Sequence, residues 1–175
     1  MKLKLDETDL RILGELQQNS SRPIHELADI IGISMASCTR RVKRMEQSGL
    51  IQRYVALLNP QALGLDLEVF INIRLNTQTL KTMEEFRKII TVMPEVVECY
   101  ALTGDSDFLL HVRTAGVKEY NTWMQEKLIG VSSIFTTHSN ISLECIKYST
   151  ALPLAANFAA VGILRKATKK RRRSR

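Results

Sequence analysis

Three cysteines, Cys38, Cys99 and Cys145, are all that 175 residues contain, and no two form a CxxC pair. A disulfide framework or a zinc clip needs closer, paired spacing. Each of the three lies among apolar neighbours and is expected to be a small buried hydrophobe. Long apolar runs are also missing: none reaches the ~20 residues a membrane span needs. Met1-Lys2-Leu3-Lys4-Leu5-Asp6 passes straight into charged sequence without the apolar stretch of a secretory leader. A cytoplasmic protein with no membrane partner is expected. His25, His111 and His138 show no metal-ligand spacing. There is no P-loop, no GxGxxG run and no serine nucleophile elbow. No enzyme, cofactor or metal is therefore expected.

The net charge of +7 is unevenly spread. Residues 165–175 hold eight Lys or Arg and no acid, and the rest of the chain carries 17 basic against 18 acidic residues. Residues 1–54 are near +2 and residues 66–150 near −3. A polyanionic partner such as double-stranded DNA is expected at the ends of the chain, where phosphate attraction can act.

The first 50 residues have helical periodicity. Asp6 is a good N-cap for a helix carrying Leu10, Ile12, Leu13 and Leu16, which should stop near Asn19-Ser20-Ser21. Pro23 suits the start of a second helix, with Ile24, Leu27, Ala28 and Ile31 on one face and Gly32 closing it. Ser34 caps a third helix running to Gly49, with Cys38, Val42 and Met45 inward. Short helix, glycine turn and longer helix together read as a helix-turn-helix. The second helix of such a unit enters the major groove, so Ser34, Met35, Ser37, Thr39, Arg40, Lys43 and Arg44 are the candidate DNA contacts. Arg41 is open between a DNA contact and an internal pair. A plain helical hairpin with a solvated basic face would share this pattern.

Beyond Gly49 the pattern changes. Leu50 to Leu58 reads as a strand, ended by Asn59-Pro60. Leu67, Val69, Ile71, Ile73 and Leu75 alternate as a half-buried strand. Residues 79–92 are helical, with Leu80, Met83, Phe86 and Ile90 on one face. Val96 to Thr103 and Asp107 to Arg113 form a hairpin around Gly104-Asp105-Ser106. Val117 to Leu128 is a helix stopped by Gly130, and Ile134 to Tyr148 a last long strand region. The order β-α-β-β-α-β is the ferredoxin-like split βαβ unit. Helices cover one sheet face there, and the other calls for a partner.

The expected architecture is α+β. Residues 1–52 form a winged-type helix-turn-helix and 53–64 a strand linker. Residues 65–150 form the ferredoxin-like domain. The tail 151–175 has an apolar stretch to Leu164, and its basic end is expected to lack packed structure.

An ordered run of motifs carries a resemblance. It includes Leu5-Asp6, Asp9, Ile12-Leu13, Leu16-Gln17, Arg22, Glu26-Leu27-Ala28, Gly32-Ile33-Ser34, Arg41-Val42, Glu46 and Gly49-Leu50-Ile51. Leu58-Asn59-Pro60, Leu63-Gly64, Glu98-Cys99-Tyr100, Thr103 to Leu110, Gly130-Val131 and Lys147 to Leu154 follow. Over residues 3–154 the chain resembles the Lrp/AsnC, or feast/famine, transcriptional regulators. The resemblance implies homodimers that assemble into tetramers or octamers, bind promoter DNA, and take an amino acid or related metabolite between subunits. It implies an effector loop at Thr103, Gly104, Asp105, Ser106 and Asp107, faced by Thr136 to Asn140, with Thr136, His138 and Asn140 as contacts. Gly104 would let a ligand approach the backbone, and Asp105 or Asp107 would pair an α-amino group. The residues alone allow a plain polar turn. The function expected is an effector-responsive, sequence-specific regulator. The alternative is an architectural DNA-binding protein with little site choice.

Overall fold

The computed structural model describes residues 4–154; the basic tail lies outside the described residues. The chain divides into two units. Residues up to Ala56 and from Lys147 onward make one, and Leu57–Ile146 the other.

In the first unit, α1 (Glu7–Gln18), α2 (Ile24–Ile31) and α3 (Met35–Gln47) surround one small core. Ile12, Leu27, Cys38 and Met45 are its most enclosed side chains, and Leu13, Ala28, Ile31 and Val42 complete the three inward stripes. Local chemistry sets each boundary. At α1 the Asp9 amide donates to Asp6 Oδ1 at 2.8 Å and the Asp6 amide returns a bond to Asp9 Oδ2 at 3.1 Å, a reciprocal box. Gly32 ends α2 in the left-handed region at φ 79°, where a side chain would be strained. Ser34 then caps α3 by accepting from the Ser37 amide. Pro23 stands just before α2, outside the first turn, with ψ of 145°.

No hairpin follows α3 among the described residues. Residues 52–59 carry no regular structure either, contrary to the strand read from Leu50 to Leu58. The apolar alternation is there, but a strand exists only when its amides and carbonyls find a ladder. Leu57 and Leu58 are exposed.

The second unit is a four-stranded antiparallel sheet of order β2-β3-β1-β4, formed by β1 (Leu67–Leu75), β2 (Val96–Ala101), β3 (Phe108–Thr114) and β4 (Ile134–Ile141). Helix α4 (Leu80–Thr91) joins β1 to β2. Helix α5 (Val117–Trp123), continued by a π-helical turn at Met124–Leu128, joins β3 to β4. Val69, Ile71 and Ile73 of β1 and Phe108, Leu110 and Val112 of β3 face Phe86, Ile90, Tyr120, Trp123 and Leu128 in one core. This is the expected βαββαβ order.

Several details differ from the sequence reading. β2 ends at Ala101 and β4 at Ile141: among the described residues Leu102 and Ser142 make single closing bonds and residues 143–150 have no ladder partner. Leu80 begins α4 on its solvent side and is 81% exposed. Cys38 is buried as expected, but Cys99 on edge strand β2 and Cys145 beyond β4 are exposed. Apolar sequence neighbours do not bury a residue whose strand has no second neighbour.

Candidate DNA interface and effector site

The outward stripe of α3 is the first candidate surface. Ala36, Arg40, Lys43 and Gln47 recur at three- and four-residue spacing, so they align along one side of the helix. With Thr39 and Arg44 they line an open hollow of about 660 Å³. Met35 is 59% exposed at the helix start. Thr39 donates its hydroxyl back to the Met35 carbonyl at 2.9 Å, and the Ser34 hydroxyl is occupied as the cap. Arg40 and Lys43 are exposed and form no ion pair among the described residues.

The other two cations of α3 behave differently. Arg41 Nη1 donates to Asp6 Oδ2 and Asp9 Oδ1, both at 2.7 Å, and so joins the internal side left open by the sequence. Arg44 Nη2 donates to Asp9 Oδ2 at 2.6 Å. Arg44, expected as a simple DNA contact, is thus committed in part to the fold. Asp9 is fully buried while the Arg44 side chain is 44% exposed. Three ion pairs among these four side chains thereby tie the start of α1 to α3. Partial burial opposes ionisation of Asp6, but the Asp9 amide and the Arg41 guanidinium outweigh it and hold its carboxyl below the ordinary range.

The second candidate site is the turn between β2 and β3. Gly104 has φ 114°, a region glycine alone occupies readily, and open space surrounds the point where a Cβ would sit. Thr103 and Asp105 are exposed and Ser106 half-buried. Asp107 departs from the expectation. It is buried, its Oδ2 accepts from the Leu75 amide and its Oδ1 from Gln78 Nε2, each at 2.7 Å. Its own amide donates to the Ile73 carbonyl at 2.8 Å. This carboxylate fastens the turn to the end of β1. Of the two aspartates of this turn, Asp105 has no bond partner for its carboxylate among the described residues.

Register decides where the β4 candidates go. Thr136 pairs with Arg74, His138 with Asn72 and Asn140 with Phe70. All three share the sheet face opposite the helices, since Ile71 and Ile73 between those partners are in the core. Thr136 lies at the same end of the sheet as the turn. His138 and Asn140 step away from it, and Asn140 Nδ2 reaches the Phe70 carbonyl at 3.5 Å. Within one chain the turn and the β4 residues do not converge.

The middle of that open face carries a group the sequence reading missed. His111 Nε2 meets Glu68 Oε1 at 2.7 Å and its Nδ1 meets Glu98 Oε2 at 3.3 Å. Arg113 also binds Glu68, and Phe70 stacks on the imidazole with centroids 4.7 Å apart. Alternation along β1 and β3 placed these residues on one face, but their pairing required the strand register.

Family comparison agrees with both units. A model described as winged helix-turn-helix DNA-binding matches residues 5–52, and one described as Lrp/AsnC ligand binding domain matches residues 68–152. The glutamate uptake regulatory protein of Zymomonas mobilis is 36% identical over 86% of this chain and 92% of its own. The leucine-responsive regulatory protein of Escherichia coli is 35% identical over 85% and 90%. The chain belongs to the Lrp/AsnC family.

Among solved structures, a transcriptional regulator from Neisseria meningitidis in complex with L-Met superposes with a TM-score of 0.84 at 32% identity, covering 87% of this chain and 99% of that one. Escherichia coli AsnC gives 0.78 at 26% identity, covering 84% and 97%. This Lrp/AsnC protein is a DNA-binding transcriptional regulator with a ligand-binding domain, and not an enzyme. No helix among its described residues is long and apolar enough to cross a membrane.

Proposed function

We propose that this regulator reads specific DNA sites with the outer stripe of α3 and changes its DNA binding or assembly when an amino acid or related metabolite occupies the 103–107 turn. The observation that carries the DNA reading is the division of labour on α3. Arg41 is spent on the internal ion pairs, while Arg40 and Lys43 extend from the helix with no ion-pair partner among the described residues. Ser34, Met35, Ser37 and Thr39 lie at the end of the helix that meets base edges in such units. Arg44 has a smaller role in DNA than Arg40, because Asp9 competes for it.

For the effector, the support is chemical. An open, positive-φ glycine beside the exposed Asp105 offers backbone donors to a carboxylate and a charge to an ammonium. Asp107 shapes that turn from beneath. Thr136, His138 and Asn140 contribute from another copy of the chain, which fits their separation from the turn in one copy. The regulator of Neisseria meningitidis holds L-Met, an effector of this class. A homodimer through the open sheet face, assembling further to a tetramer or octamer, would bring the two sets of residues together.

Competition binding at fixed salt tests the first part. A selected site should outcompete random duplex by ~10³-fold or more. Equal competition would instead favour an architectural protein. Arg40→Ala and Lys43→Ala should each weaken binding without changing oligomeric size in solution. A thermal-shift screen of the amino acids tests the second part, since a ligand of the folded state raises its apparent stability.

A further inference from the structure

After β4 the chain returns to the helical unit, so it crosses between the two units twice, once beyond Ala56 and again before Lys147. The helical unit grips the chain beside each crossing. On the outgoing side Tyr54 donates its hydroxyl to Glu46 Oε1 of α3 at 2.8 Å. On the returning side the Leu152 amide donates to Gln17 Oε1 of α1 at 2.7 Å, and Gln17 Nε2 donates to the Leu152 carbonyl at 3.3 Å. One side-chain amide thus takes the place of a strand partner. Local sequence prepares the returning segment for it. Ser149 Oγ accepts from the Ala151 amide and turns the chain. Pro153 favours extended backbone at Leu152, because the residue before a proline is steered away from the helical region. In extended backbone the N–H and C=O of one residue point to the same side, and Gln17 meets both. Leu152 itself is 70% exposed, so the clasp is made through its backbone. Two residues on, Leu154 packs against the core formed by α1, α2 and α3.

We infer that this clasp positions the helical unit: with both crossings held, Gln17 and Leu154 restrict how α3 is presented and make the assembled protein select the spacing of two half-sites on DNA. Residues 55–66 lead from the Tyr54 grip to β1, with a 3-10 turn at Gln61–Leu63 and no other helix or strand. A chain of that length wanders over roughly 15–20 Å. Half-sites read from one face of the duplex lie ~34–36 Å apart, and a shift of half a turn moves one by about 17 Å and about 180° around the axis. On a single crossing α3 could make both adjustments. The second path, from the Ser142 amide bonded to the Glu68 carbonyl to the clasp at Leu152, is as short as the first. Two short paths ending on different helices, α3 and α1, forbid the rotation that one path allows. The restraint raises the effective concentration of the second α3 at one spacing and lowers it at others. Both bonds of the clasp lie at the surface, where each contributes modestly, so the restraint is reversible.

Spacing selection rests on α3 reading half-sites within a dimer, and the experiment separates the two. Affinity is measured at fixed salt for the full chain and for Gln17→Met, Leu154→Ser and the double variant. The duplexes carry a single half-site taken from a selected site, no site, or two half-sites at the selected spacing or shifted by half a turn. Met at 17 keeps the length and helix propensity of Gln and removes the amide. The parent chain should prefer the selected spacing over the shifted one by ~10-fold or more. Each single variant should lower that ratio, and the double variant should bring it within about threefold while affinity for the single half-site stays within about twofold. Leu152→Ser keeps both backbone bonds and should keep the ratio. A parent chain indifferent to spacing, or a double variant with the parent's ratio, would overturn the assignment. So would an equal loss on single and paired half-sites, the mark of residues that only stabilise the helices. Failure of α3 as the reader gives a different result: the parent chain would not prefer the single half-site over the duplex without one, and spacing selection would fall with it.

Discussion

Replacing Asp9 with Asn keeps the size of the side chain and removes its charge from a fully buried position. Two guanidinium bonds of 2.7 and 2.6 Å and the amide bond of the capping box meet there. Breaking one partner out of a fully buried ion pair costs about 3–5 kcal/mol. Here the arginines limit the loss. Arg41 keeps Asp6, and Arg44 is half in water and can turn outward. The expected cost is therefore about 2–3 kcal/mol, with the capping box weakened as well. Hydrogen exchange of the α1 and α3 amides is the suitable assay, because it reports the opening of one unit of a two-unit chain. A double-mutant cycle divides the effect. Coupling of Asp9 to Arg41 should be the larger, ~1.5 kcal/mol or more, and coupling to Arg44 should be below ~1 kcal/mol, as for exposed pairs. A cost below ~0.5 kcal/mol for Asp9→Asn, or a stronger coupling to Arg44 than to Arg41, would refute the view that this cluster holds α1 to α3. Freed from Asp9, Arg44 should also raise affinity for random duplex modestly.

Asp107→Ala should destabilise the sheet unit by about 1–3 kcal/mol without any ligand, because the buried Leu75 amide loses its acceptor; Trp123 fluorescence during urea unfolding measures it. Gly104→Ala should cost about 1 kcal/mol from its positive φ and weaken any ligand response, read by thermal shift with and without amino acids. Asp6 has a folded pKa below its unfolded one, so its contribution is full at neutral pH and is lost as pH falls below about 4 through the folded value. Comparing the exchange protection of α1 between pH 7 and pH 3 for the parent chain and Asp6→Asn should show a smaller fall in the variant. An equal fall would remove Asp6 from that role.

How much was legible before the structure varied with the range of the interaction. The three helices and their caps rest on contacts within a few residues, so Asp6, Gly32 and Ser34 marked real boundaries. The order of strands and helices along the second unit followed from its apolar periodicity, two for strands and 3.6 for helices. Strand ends were less legible. The stretches 50–58 and 142–148 contain strand-like residues, yet they have no neighbour to complete a ladder among the described residues. Cys99 and Cys145 failed for a similar reason, since burial belongs to the neighbour across the sheet and not to the next residue along.

The amino-acid sequence by itself determined the two-part organisation, the helix-turn-helix, the βαββαβ order and the family, because each rests on local periodicity or on ordered motifs. Tertiary structure alone decided which charges remain for a partner. Arg41 and Arg44 are 32 and 35 residues from Asp9, and Asp107 is 32 from Leu75 and 29 from Gln78. A carboxylate cannot be known to be spent until folding brings its donors within hydrogen-bonding distance, and that happens only when the helices and strands pack.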